Sequence, residues 1–273
     1  MSLNGPNWRI LRGHFTLRNQ LGMDLLFLPL SETGTYNSSQ GYRCFSLEDV
    51  QEALKQDKLF AAVIVDGPFQ RIVEQKGLIA VLSALKQNRE NFLSEYWKEA
   101  EIVRYLIRQC LELGVRLFVI ADDSAYERST YFSPKDAEDS LVSFYSDSME
   151  SIHAGGAFAL FHSCGNIKSL VPKLLSCAVD GLAAWQARCF DVISLKREHP
   201  SGLILLGGIE PKYLDSETLS EEQQREFHWF VREISAGGGF VLGSSSGLYK
   251  PELVERIRLL YRLTEDRLGG REY

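Results

Sequence analysis

The sequence predicts an α/β chain wound as a TIM-type (β/α)8 barrel, short of one strand at its N-terminus, on three observations. Seven short apolar runs recur along the 273 residues, the periodicity between them turns helical, and no glycine-rich nucleotide fingerprint follows the early runs. The runs are residues 23–30 (MDLLFLPL), 59–66 (LFAAVIVD), 115–122 (VRLFVIAD), 157–163 (AFALFHS), 180–185 (DGLAAW), 202–208 (GLILLGG) and 238–244 (GGFVLGS). Each is continuous rather than alternating, as a parallel strand covered on both faces should be. The region upstream of Leu21 is too short and polar to supply an eighth.

Between the runs, residues 91–113 set Phe92, Tyr96, Ala100, Val103, Ile107, Cys110 and Leu111 on one helical stripe ahead of Gly114, a helix stop. Ser133-Pro134 with Asp136 predicts a helix start, Ser220 with Gln223 has the capping-box spacing, and Pro251 fits a first helical position. Asn166 is predicted to open a helix directly after the run at 157–163. The absence of GxGxxG and GxxxxGK[ST] patterns argues against a dinucleotide or P-loop fold. With no internal repeat, low-complexity segment or linker, residues 1–273 read as a single domain.

A hydrophobic share of 45% with 24% charge is that of a soluble globular chain. The net charge of -6, with no basic block, leaves a nucleic acid no docking face. No apolar run approaches the roughly 18 residues of a membrane helix, and the first residues lack a signal-peptide core. The expectation is a cytoplasmic protein acting on a small molecule, with neither nucleic acid nor membrane as partner. Five scattered cysteines without a CxxC pair argue against a disulfide framework and against a self-contained structural zinc site.

In a parallel barrel the working residues follow the strands' C-terminal ends. Those exits carry Asp66; Asp122, Asp123 and Tyr126; His162 and Cys164; Trp185 and Gln186; Glu210; and Ser244, Ser245 and Ser246. His162 and Cys164 are two apart on a strand and point the same way. Imidazole and thiolate are both zinc ligands, and a thiolate with a lowered pKa is also a nucleophile or methyl acceptor. A lone cysteine or histidine at such a place is more often packing; the pair at a strand-to-helix junction makes the chemical reading. Asp122 and Asp123 point to opposite faces, so one enters the mouth while the other serves a loop or pairs with Arg128. Glu210 is either a mouth carboxylate or a solvated charge. GSSSG (243–247) is either an anion cradle or a turn. Tyr126, Tyr131 and Phe132 line an apolar pocket or belong to the core.

Five segments in order, ELGVRLFVIADD, YFSPKDAEDSLVSFY, FALFHSCGNIKSLVPKLLSCAVDGL, LILLGGIEPKYL and GGFVLGSSSGL, resemble the uroporphyrinogen decarboxylase superfamily. That superfamily includes zinc-dependent methyltransferases that move methyl groups between corrinoid proteins and thiols. The resemblance implies a TIM-type barrel whose His-x-Cys pair and a distant third cysteine hold zinc, which binds the acceptor thiol. His162 and Cys164 match the first two ligands. The third position falls on Ser246, a poor zinc ligand, so a carboxylate such as Asp122, Asp123 or Glu210 completes the site, or zinc is absent. The leading expectation is a corrinoid–thiol methyltransferase using zinc and a corrinoid, partnered by a corrinoid protein. In it His162 and Cys164 bind metal, Asp122, Asp123 and Cys164 are catalytic, and Tyr126, Gln186, Glu210, Ser244, Ser245 and Ser246 bind substrate. Two alternatives stay open. One is a decarboxylase of a tetrapyrrole or small carboxylic acid, in which Asp122 or Asp123 stabilises a protonated pyrrole-like intermediate; the family's N-terminal Arg- and Asp-bearing segment has no counterpart here. The other is a non-catalytic ligand-binding barrel, suggested by Ser246 and the reduced N-terminus.

Overall fold

The seven apolar runs become seven parallel strands in a computed structural model that describes residues 15, 18–19, 21–31, 36–37, 42–55, 60–189, 191–200, 202–215, 218–245 and 252–265. In chain order they are β1 (Leu25–Leu30), β2 (Phe60–Asp66), β3 (Leu117–Ala121), β4 (Phe158–His162), β5 (Gly181–Ala183), β6 (Ile204–Ile209) and β7 (Phe240–Ser244). Spatial order equals sequence order, so every crossover is to the next neighbour and the sheet curls as a barrel short of one strand. Among the described residues no eighth strand joins β1 to β7. A separate two-strand ladder, Tyr36–Asn37 with Tyr42–Arg43, lies outside the sheet.

The helices are α1 (Leu47–Leu54), α2 (Pro68–Lys76), α3 (Leu78–Gln87), α4 (Arg89–Leu113), α5 (Pro134–Ala137), α6 (Ser143–Ala154), α7 (Val171–Ser176), α8 (Val192–Glu198), α9 (Pro211–Leu214), α10 (Glu221–Ser235) and α11 (Glu252–Glu265). A π-helical turn, Glu138–Val142, joins α5 to α6. The sequence stripe on α4 is the face that packs, with Phe92, Tyr96, Ala100, Val103, Ile107 and Cys110 all buried, and the helix ends at Gly114 in the left-handed region, φ 98°. Ser133 caps α5 and Ser220 forms a capping box with Gln223 at α10. Pro251 lies outside the described residues. Asn166 departs from expectation. Its Oδ1 accepts from the Lys168 N–H at 3.2 Å and holds a turn, and the helix waits until Val171.

Alternation along the strands sorts the interior from the helix side. Ala62, Leu117, Val119, Leu160, Ala183 and Leu206 fill the barrel centre, whereas Val63, Val65, Phe118, Ile120, Ala159 and Phe161 pack outward against the helices. A second outer core holds α9–α11 through Ile209, Tyr213, Phe227, Val231, Ile257 and Leu260. In register, Asp66 pairs with Ala121 and Ala121 with His162, so the interior parity brings Asp66, Ala121 and His162 to one level at the C-terminal rim.

Strand β5 is only three residues long and depends on close approach to β6. A Cβ on Gly181 would lie 1.7 Å from the Ile204 carbonyl oxygen. Replacing Gly181 by Ala should therefore cost more than about 2 kcal/mol in urea unfolding, as overpacking against immovable backbone does. A loss below about 0.5 kcal/mol, within the range of a surface change, would show that β5 and β6 do not approach so closely.

Candidate functional site

Main-chain hydrogen bonds stitch the exits of β3 and β4 together. The Asp122 N–H donates to the His162 carbonyl at 2.8 Å, and the Ser124 N–H to Ser163 Oγ at 2.9 Å. The Cys164 N–H donates to Asp123 Oδ1 at 2.7 Å. Gly165 then turns with φ 84°, so close beneath the next loop that a Cβ would sit 2.7 Å from the Tyr126 carbonyl, and the Asn166 N–H donates to that carbonyl oxygen at 2.8 Å. A side chain here would lose both the turn and the contact. These bonds leave Asp123, His162 and Cys164 with ligand atoms that all lie within 4.8 Å of one another.

The imidazole is aimed as well as placed. His162 Nδ1 lies 2.9 Å from the Ala183 carbonyl oxygen, which can only accept, so Nδ1 carries the proton and Nε2 presents its lone pair, 3.9 Å from Asp123 Oδ1. Burial, and then the charge of Asp123, push the Cys164 thiol up to about 11, against a smaller lowering by Arg188. The sulfur is thus a neutral thiol unless a cation joins the cluster; a divalent metal reverses that balance. Nitrogen, sulfur and oxygen donors in one half-buried spot fit a zinc-type ion.

The two adjacent aspartates have separate fates. Asp122 is fully buried and its Oδ1 accepts from the Gln70 N–H at 2.8 Å at the start of α2, with the Phe69 N–H nearby also favouring its ionised form. It serves a neighbouring helix rather than Arg128. The approach is close enough that a Cβ on Gly67 would fall 2.4 Å from Asp122 Cγ, which explains glycine at the turn. Burial raises its carboxyl to about 8, opposed by those N–H donors and assisted by Asp123 and Asp66. Asp123 is the one that enters the mouth.

The remaining expected residues divide. Tyr126 is 46% exposed and stacks on Tyr131, ring centroids 5.7 Å apart at 22°. Burial and the charges of Asp123 and Cys164 raise the Tyr131 hydroxyl, placing that ring beside the cluster. Gln186 positions rather than projects: its Oε1 accepts from the Gly165 N–H at 3.2 Å and from the Cys189 thiol at 3.6 Å. Glu210 stands at the start of α9 and lines a different cleft, of about 180 Å³, with Asp191, Lys212, Glu226 and Trp229. Gly207 (φ 148°) and Gly208 (φ 98°) take positive φ within the strand before it, which stays paired through Ile209. Ser244 closes β7 opposite Ile209, and the Ser245 N–H donates to the Ile209 carbonyl at 2.9 Å. Ser246 lies outside the described residues.

Two contributors escaped the sequence reading. The Ala183 carbonyl that orients His162 is main chain and leaves no residue-type signal. Asp66 was visible as a strand exit, but its place in the row with His162 needs the register. Burial, then Glu74, raise its carboxyl to about 6, with Arg71 opposing.

The fold and the cluster define a parallel α/β barrel with a candidate metal centre at its C-terminal rim. Residues 60–266 match the family described as uroporphyrinogen decarboxylase (URO-D), and the chain belongs to that family. Among solved structures, the fold is shared with a methyltransferase from Methanosarcina mazei at 12% identity and a TM-score of 0.74, covering 95% of this chain and 85% of that one. It is also shared with a B12-independent methionine synthase from Shewanella sp. W3-18-1, solved with selenomethionine, at 12% identity and a TM-score of 0.65, covering 94% and 86%. A D-psicose 3-epimerase from Clostridium cellulolyticum H10 follows at 12% identity and 0.59, covering 97% and 94%. No curated protein matches the chain. No helix among the described residues is long and apolar enough to cross a membrane.

Asp122 gives the site a measurable pH signature. Below about pH 4 its carboxyl is neutral whether folded or unfolded; from there to about 8 it ionises only on unfolding, so rising pH draws stability from the native state. In Asp122→Asn an oxygen remains for the Gln70 N–H and nothing ionises. Urea unfolding should show the variant gaining on the wild type steadily between about pH 5 and about pH 8, whereas a constant offset would mean that Asp122 titrates alike in both states.

Proposed function

We propose that this chain is a methyltransferase that passes a methyl group from a corrinoid, carried by a partner protein, to a thiol bound at a metal on Asp123, His162 and Cys164. The observation that carries the reading is the convergence of those three donors within 4.8 Å. Asp123 supplies the anionic ligand that Ser246 does not. When bound, zinc supplies a Lewis acid that keeps an acceptor thiol as its nucleophilic thiolate near neutral pH.

The protein's own groups do the remaining work. The Ala183 carbonyl fixes the His162 tautomer, so no reorientation is needed for ligation. The Cys164 N–H holds Asp123 in place at 2.7 Å. Tyr126 and Tyr131 stack as an aromatic wall beside the cluster. Membership of the uroporphyrinogen decarboxylase family and the barrel shared with a methyltransferase support the reading. Decarboxylation of a polycarboxylate is less well served. Arg71, the cation acting on Asp66, is bridged to Glu99 at 2.7 Å and is not offered to a carboxylate-rich substrate.

Metal analysis of the purified protein should find about one zinc per chain, lost in Cys164→Ala and His162→Ala. In Asp123→Asn the affinity should fall by roughly 10- to 100-fold. With methylcobalamin and a thiol, the absorption spectrum should then report demethylation of the corrinoid. Wild-type protein that takes up no zinc from a zinc-replete buffer would sink the reading.

A further inference from the structure

We infer that the acceptor is an aminothiol, its protonated amine read by Asp66. This rests on the proposed metal-bound thiol and goes on to say what the rest of that molecule is. Asp66, Ala121 and His162 occupy one register row on three consecutive strands. Neighbouring strands are about 4.8 Å apart, so the two ends of the row are separated by roughly 10 Å. Ala121, between them, contributes only a methyl group, so no long side chain of that row stands between the imidazole and the carboxylate. A thiol held at the His162 end of the row can place an amine two or three carbons away toward Asp66 at the other end.

Asp66 is the rim carboxylate without a task in the protein itself. Asp122 is committed to the start of α2 and Asp123 to the Cys164 N–H, but Asp66 is half-buried with no hydrogen bond or ion pair among the described residues. A carboxylate held out of bulk water gains most from a hydrogen-bonded cation. The surroundings select the same sign. Asp123 and Glu74 both act on Asp66 as like charges, and Arg71, the opposing cation, is bridged to Glu99 at 2.7 Å. The stacked faces of Tyr126 and Tyr131 also favour a cation over an anion. A thiol with a sulfonate or phosphate tail would bring its negative charge against Asp66 and Asp123.

The test compares three thiols of equal length, cysteamine, 2-mercaptoethanol and 2-mercaptoethanesulfonate, binding to zinc-loaded protein by titration calorimetry. Cysteamine should bind at least about 10-fold more tightly than 2-mercaptoethanol, the sulfonate most weakly, because a charge-assisted hydrogen bond distinguishes them. In Asp66→Asn the gap should close with zinc content unchanged; thiol acidity is common to both proteins, so the change isolates the carboxylate. Should that variant fail to fold, the order in the wild type decides alone. Equal binding of the three, or preference for the sulfonate, in protein that holds its zinc overturns the aminothiol and leaves the metal centre standing. Absence of zinc, read from metal analysis before any thiol is added, overturns both.

Discussion

The rim depends on one hydrogen bond, from the Cys164 N–H to Asp123 Oδ1 at 2.7 Å. It crosses between the exits of two strands and ties a carboxylate of one to the main chain of the other. Without it, Asp123 would be a turn residue facing solvent, and the sulfur and imidazole would lack an anionic neighbour. The surrounding bonds exist to make it possible. Ser163 satisfies the Ser124 N–H, the Asp122 N–H reaches the His162 carbonyl, and Gly165 lets the chain turn beneath Tyr126.

Three carboxylates gather at one end of the barrel, and environment rather than residue type separates their roles. Asp122 is sealed against helix amides, so it caps α2 at the cost of desolvation. Asp123 meets the metal-type cluster through a main-chain bond. Asp66 retains a half-buried carboxylate with no hydrogen-bond or ion-pair partner among the described residues. Burial first, and then the charge of Asp123, raise the Cys164 thiol, so a cation joining Asp123 and Cys164 would lower the electrostatic energy of that corner of the rim.

Much of this was legible in the amino-acid order. All seven strands lie within the apolar runs to within a residue or two, because continuous apolar stretches between helical periods leave little choice in a parallel sheet. The pair His162 and Cys164 was legible from spacing alone. What was hidden has physical reasons. Which of Asp122 and Asp123 turns inward follows from strand parity, but the partner of the other, the Gln70 N–H, is 52 residues away. Glu210 stands at the start of α9 and lines another cleft, a placement that residue types alone do not show. Asn166 looks like a helix cap, and its side chain does accept an N–H, but within a turn that precedes the helix by several residues.

The three-residue strand β5 carries a consequence beyond architecture. Its last residue, Ala183, supplies the carbonyl that aims His162, and immediately after it Ala184 takes φ 50° and donates its N–H to the Leu206 carbonyl at 2.6 Å. The aim of the imidazole is therefore inherited from the shortest stave of the wall, whose hold on its neighbours is the weakest by length. Fraying there would let the ring swivel while every ligand remained in the chain, so loosening of the donor set is coupled to local opening of this one stave before the barrel as a whole gives way.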